Sequence, residues 1–92
     1  MTEKQSFMAK KTIEKKDKSK EVIALAKRIK QLRVAKGYTS QETFAYDNDY
    51  TLSYYSRLER GEDIRFTSLV KVCKALGVDL KTFFNSGFDK VK

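Results

Sequence analysis

The chain has 92 residues, 20 of them Lys or Arg and 12 Asp or Glu, for a formal charge of +8 with 35% charged and 40% hydrophobic residues. This defines one small basic domain. The longest apolar run, Val22 to Ala26, is far short of the roughly 20 residues a membrane span needs, and no signal-like apolar stretch follows the N-terminal lysines. A cytoplasmic protein with no membrane partner is expected. The single cysteine, Cys73, permits no disulfide within the chain, and the absence of histidine removes the usual zinc sites and imidazole acid–base relays. An enzyme, a metal site, a cofactor or a small-molecule ligand is therefore not expected.

Residues 1–20 hold seven lysines against three acids, half of the positive excess, and their only large apolar residues are Phe7, Met8 and Ile13. Residues 1–19 read as a flexible or weakly helical arm, whose charge fits a solvated tail or loose attraction to phosphate. Residues 20–92 form the domain. From Lys20 onward the apolar spacing is helical and proline is absent, which predicts an all-α fold. The four glycines, Gly37, Gly61, Gly77 and Gly87, each follow a segment of helical periodicity, where a left-handed stop is wanted.

The first helix is expected from about Lys20 to Lys36, with Val22, Ala26, Ile29 and Leu32/Arg33 along its inner stripe. Thr39-Ser40-Gln41-Glu42 has the form of a capping box, which predicts a short second helix capped by Thr39 with Phe44 and Ala45 inward. Tyr46-Asp47-Asn48-Asp49 then makes a tight turn, since Asn and Asp tolerate left-handed backbone. Thr51 is the expected N-cap of a third helix running to Arg60. Thr67 is expected to cap a fourth helix, with Leu69, Val72, Cys73 and Leu76 on its apolar stripe, and Asp79 a fifth, with Leu80, Phe83 and Phe84 on one face. The result is a compact five-helix bundle, with Cys73 a buried core thiol.

Two helices joined by a short turn are the minimal helix-turn-helix, whose second helix enters the major groove. On a helical wheel, Tyr55 and Leu58 define the inner side of the third helix, while Ser53, Ser56, Arg57 and Arg60 fall on the outer side. That side has no acid. Arg57 is long enough for a bidentate contact to guanine O6 and N7. The wheel also turns Glu59 inward, where an isolated carboxylate is costly. Arg33, four residues after Ile29, is its expected partner in a structural ion pair that sets the angle between the first and third helices, unless both side chains snorkel to water.

Five pieces stand in order along the chain: Ile29-Lys30-Gln31-Leu32-Arg33, Ser40-Gln41-Glu42-Thr43-Phe44-Ala45, Ser53 to Gly61, Leu69 to Val78 ending in Lys-Ala-Leu-Gly-Val, and Asp79 to Phe84. With them, Ile29 to Phe84 resembles the helix-turn-helix domain of the phage-repressor and Cro-like family of bacterial regulators, the xenobiotic-response-element type. The resemblance implies a lambda-repressor-like fold and a sequence-specific regulator of transcription that occupies double-stranded DNA. It implies that Gln41 contacts a phosphate or outer base, that Thr51, Leu52, Ser53, Ser56 and Arg57 face base edges and backbone, and that Arg65, with the amides near Thr67 and Ser68, meets phosphate. Asn48 and Asp49 depart from the family, which usually has an apolar residue and glycine there, and Leu52 replaces a commonly polar reader.

One recognition helix reads few base pairs, so a homodimer on a palindromic site is expected, with half-sites about 34 Å apart. Phe83 to Phe88 supplies the apolar candidates for its interface. The rival reading is a protein-binding module on the same fold, antitoxin-like or a regulator's partner, that uses Leu52 and Tyr54 as a docking patch.

Overall fold

The computed structural model of the chain describes residues 19–62 and 64–89. The arm expected over 1–19 lies outside the described residues except for Ser19, which belongs to the first helix: its side chain caps the helix by accepting from the Val22 amide at 3.1 Å. The described residues form five helices: α1 (Lys20–Ala35), α2 (Gln41–Asp47), α3 (Leu52–Glu59), α4 (Phe66–Leu76) and α5 (Leu80–Phe83). No strand occurs among the described residues. The all-α expectation holds, with every helix in its predicted place.

Two caps differ from expectation. Ser40, not Thr39, caps α2, its Oγ accepting from the Thr43 amide at 3.1 Å. Tyr38 is tied to α1 through both backbone groups, its amide donating to the Arg33 carbonyl at 3.1 Å and its carbonyl accepting from Arg33 Nη1 at 2.8 Å. Thr39 is spent in the loop, Glu42 falls one position short of the capping-box site, and that reciprocal bond is not made. In α4 the first helical bond closes on Arg65, whose carbonyl accepts from the Leu69 amide at 3.0 Å. The helix therefore starts at Phe66, and no side chain caps it. The Asp79 cap of α5 is as expected, its carboxylate accepting from the Thr82 amide at 2.8 Å.

The turn between α2 and α3 keeps a left-handed residue without glycine. Asp49 has φ 62°, and Asn48 closes the end of α2 by donating its side-chain amide to the Phe44 carbonyl at 2.9 Å. The Tyr50 amide donates to the Ala45 carbonyl at 2.9 Å. At the end of α4, Gly77 takes the left-handed cap conformation, φ 77°, that a side chain would strain.

The core joins Ile29 of α1, Phe44 and Ala45 of α2, Tyr55 and Leu58 of α3, Leu69, Val72, Cys73 and Leu76 of α4 and Phe83 of α5. Phe44 meets Tyr55 at a ring separation of 5.0 Å and Tyr38 edge-on at 5.1 Å, which locks α2 to α3 within the helix-turn-helix. Cys73 is buried as expected, and burial pushes its thiol up from the ordinary value.

One structural residue has no counterpart in the sequence reading. Arg28 is buried and serves the end of α5: its Nε donates to the Phe83 carbonyl at 2.7 Å, and one terminal nitrogen donates to the Thr82 carbonyl at 2.8 Å and the Asn85 side chain at 3.1 Å. A helix of four residues leaves nearly all its carbonyls without internal partners. The guanidinium satisfies two of them and ties the C-terminal end to α1.

Candidate nucleic-acid interface

The position of α3 is fixed from behind by a buried polar cluster. Arg33 donates from Nε and Nη2 to the two oxygens of Glu59 at 2.7 and 3.2 Å, and the two side chains are only 4% and 2% exposed. The Tyr55 hydroxyl donates to the same carboxylate at 2.5 Å, and the Gln41 amide nitrogen does so at 2.9 Å. Burial alone would raise the Glu59 carboxyl, but the hydrogen bonds from Arg33, Tyr55 and Gln41 together outweigh it and hold the group below its ordinary value. The Arg33 guanidinium is raised, chiefly by its bond to Glu59, and the Tyr55 hydroxyl is raised by burial and by the carboxylate. Arg33 and Glu59 therefore stay ionised at neutral pH, and the Tyr55 hydroxyl keeps its proton. It links α1, the start of α2 and the end of α3, so the angle of the third helix is set by hydrogen bonds as well as by apolar packing. Neither side chain snorkels to water.

On the other side of α3, Thr51, Leu52, Ser53, Arg57 and Arg60 are exposed, and Thr51 caps the helix by accepting from the Tyr54 amide at 3.2 Å. Ser56 is half-buried and donates its hydroxyl to the Gln41 side-chain oxygen at 2.6 Å. Gln41 thus bridges Ser56 and Glu59 and is itself half-buried. These two polar side chains join the outer face to the inner cluster. Leu52 is 45% exposed, and Tyr54 is stacked on Tyr50 at 5.9 Å.

The expectation that this face carries no acid is corrected by Glu62. It follows Gly61, whose φ of 77° reverses the chain, and its amide donates back to the Arg57 carbonyl at 3.3 Å. The carboxylate accepts from Arg57 Nε at 2.9 Å and from a terminal nitrogen of Arg60 at 3.1 Å. A wheel drawn for α3 alone omits a residue that reaches the face from the next loop. The signal was a glycine stop followed at once by an acid, with two arginines in the turn before it.

Arg65 is exposed at the uncapped start of α4. It lines an open cleft with Tyr54, Arg57, Glu62 and Ser68, so the structure brings Arg65 and Arg57 to one region. The free amides of an uncapped helix start attract anions. Among the described residues, no group of three or more His, Cys, Asp or Glu side chains is placed to hold a metal ion, and no helix is long and apolar enough to cross a membrane.

Comparison with known proteins decides what this geometry belongs to. The helix-turn-helix family model matches residues 29–83, the span from Ile29 at the core of α1 to Phe83 at the end of α5. The chain belongs to the helix-turn-helix family. It is 34% identical over 64 residues to the control protein C.MunI of Mycoplasma sp, covering 68% of this chain and 86% of that protein. It is 33% identical over 60 residues to the control protein C.BamHI of Bacillus amyloliquefaciens, covering 64% of this chain and 74% of that one. No solved structure matches. Family and relatives identify a sequence-specific DNA-binding regulator of transcription of the Cro-like type.

Proposed function

We propose that this helix-turn-helix protein controls transcription in the cytoplasm by occupying an operator as a two-fold homodimer, each protomer laying α3 in the major groove, without catalysis or cofactor. The observation that carries this reading is the two-sided build of α3. Its inner side is fixed to α1 and α2 by the Arg33–Glu59 cluster, and its outer side presents Thr51, Leu52, Ser53, Arg57 and Arg60 to solvent. A rigidly held helix with an exposed short-polar and basic face suits close approach to a phosphate-lined groove.

In this reading Arg57 meets a guanine, Thr51, Leu52, Ser53 and Ser56 meet base edges or adjacent backbone, with Leu52 suited to a thymine methyl, and Arg60, Arg65 and Gln41 meet phosphates. Gln41 would reach phosphate while keeping its bridge to Glu59. Dimerisation is assigned to the C-terminal aromatic end. There Phe84, 44% exposed, meets Phe88 at 5.0 Å, and Phe88 meets the buried Phe83 at 6.2 Å. The relatives are named as control proteins, and a controlling role at a promoter is what this reading carries over. The lysine-rich arm, 1–19, adds affinity without sequence information.

Selection of bound sites from random duplex DNA at physiological salt tests the reading. Enrichment of a palindromic motif with half-sites about one helical turn apart is the expected result. Enrichment of a single asymmetric half-site would remove the dimer. Failure to enrich any motif would leave only non-specific DNA attraction.

A further inference from the structure

Glu62 is a carboxylate at the face proposed to meet DNA, where a negative charge opposes a phosphate-lined groove. It is gripped on both sides. Oε1 accepts from Arg57 Nε at 2.9 Å, and Oε2 accepts from Nε and a terminal nitrogen of Arg60 at 3.3 and 3.1 Å. Its backbone is fixed as well, through the bond from its amide to the Arg57 carbonyl. Exposed ion pairs of this kind add little to folding, so stability is a weak reason for an acid at this point.

The geometry of Arg57 supplies a better one. An arginine reads guanine by offering two N–H donors to O6 and N7. Glu62 occupies Nε of Arg57, and among the described residues no acceptor takes its two terminal nitrogens. A carboxylate bonded at Nε restrains the guanidinium and leaves its two terminal nitrogens available to a base. A long side chain held in advance loses less rotamer freedom on binding. The opposing charge also makes a wrong base costlier, because the carboxylate is brought up to the phosphate-lined groove whichever base is met, and only guanine's two acceptors offset that cost through the terminal nitrogens of Arg57. Glu62 stays ionised throughout the neutral range, its carboxyl held below the ordinary value by Arg57 first and then Arg60.

We propose that Glu62 is a positioning residue for operator discrimination, which holds the Arg57 guanidinium by its Nε edge so that the terminal nitrogens are presented to a guanine. This rests on the reading of Arg57 as a base reader. The test measures binding of the full chain to its selected duplex and to a random duplex for Glu62→Ala, Glu62→Gln, Arg57→Ala and the Arg57→Ala/Glu62→Ala double variant, with thermal melts confirming that each folds.

Glu62→Ala should tighten random binding while weakening choice at the Arg57 base pair. The preferred-to-random ratio should drop several-fold, within the roughly 5- to 150-fold that one bidentate contact represents. Glu62→Gln keeps an oxygen able to accept from Nε and should retain part of the ratio despite losing the charge. In the Arg57→Ala background, removing Glu62 should leave the ratio unchanged. A Glu62→Ala variant that binds both duplexes more tightly by equal factors would overturn the inference and make Glu62 a simple charge brake. If Arg57→Ala itself leaves the ratio intact, the base-reading role of Arg57 fails, and the positioning role fails with it.

Discussion

Glu59 and Glu62 are three residues apart, and each is held by arginine, yet one side chain is 2% exposed and the other 40%. Glu59 ends α3 on its inner side and collects donors from three helices: Arg33 of α1, Gln41 of α2 and Tyr55 of α3. Glu62 sits past the glycine stop and, among the described residues, pairs with the arginines of the last turn and cap of α3. The same pair of chemical groups therefore works in two regimes. A buried carboxylate stripped of one donor keeps its desolvation cost, whereas an exposed one stripped of its donor is rehydrated. The inner cluster should decide whether α3 is in place, and the outer one what α3 does once there.

The largest break of this contrast is Arg33→Ala, which leaves Glu59 buried with only Tyr55 and Gln41 as donors. A loss of about 3–5 kcal/mol in denaturant melts is expected. A loss below roughly 1 kcal/mol would show that water reaches the carboxylate and that the cluster is no anchor.

Acid sharpens the same point without a mutation. The Glu59 carboxyl lies below its ordinary value in the folded state, so the unfolded chain binds its proton more readily. The stabilisation is therefore full above the ordinary value of about 4.3 and is lost as the pH falls from there through the lowered folded value. Melting temperature followed from pH 7 downward should hold until about pH 5 and then decline, and Glu59→Gln should flatten that decline. A decline of equal steepness in Glu59→Gln would assign acid sensitivity to the other carboxylates held low in the folded chain, capping Asp79 through the Thr82 amide and Glu62 through Arg57 and Arg60.

On the outer side the expected effect is on DNA. Arg57→Ala should weaken binding to the selected site by about 1–3 kcal/mol and relax choice at one or two base pairs, with the fold unchanged. Equal weakening on selected and random duplexes would reassign Arg57 to phosphate.

The contrast also marks what a sequence shows and what it hides. The Arg33–Glu59 pair was legible because both members lie on regular helices, where a wheel turns Glu59 toward Tyr55 and places Arg33 one turn after Ile29. The core residues Phe44, Tyr55, Leu69, Val72 and Phe83 were legible for the same reason. Positions that depend on chain reversals were not. Glu62 reaches the outer face because of the conformation at Gly61. Arg28 is buried because α5 ends directly over it, and Ser40 caps α2 because Arg33 holds Tyr38 in the loop. The family resemblance points Gln41 toward a phosphate or outer base, while its bridge from Glu59 to Ser56 depends on the side-chain geometry of two helices at once. Periodicity specifies which side of a helix a residue takes, but the residues that meet it from a neighbouring loop follow only from the fold.

The smallest effect expected is that of Glu62→Ala on folding. Both of its partners are well exposed, at 57% and 55%, and water replaces the carboxylate around each guanidinium, so screening leaves little to lose. The backbone bond from the Glu62 amide to the Arg57 carbonyl does not depend on the side chain, and the turn at Gly61 should survive. Melting midpoints of Glu62→Ala and the unmodified protein should coincide within experimental scatter, at low salt as well as high. A clear destabilisation that grows at low salt would mean that the two arginines repel each other strongly without their shared acid. The outer cluster would then hold the end of α3 in place, as the inner one does. Coincident melts combined with a changed operator preference would separate the two clusters by function: Glu59 for the position of the helix, and Glu62 for the aim of the arginine upon it.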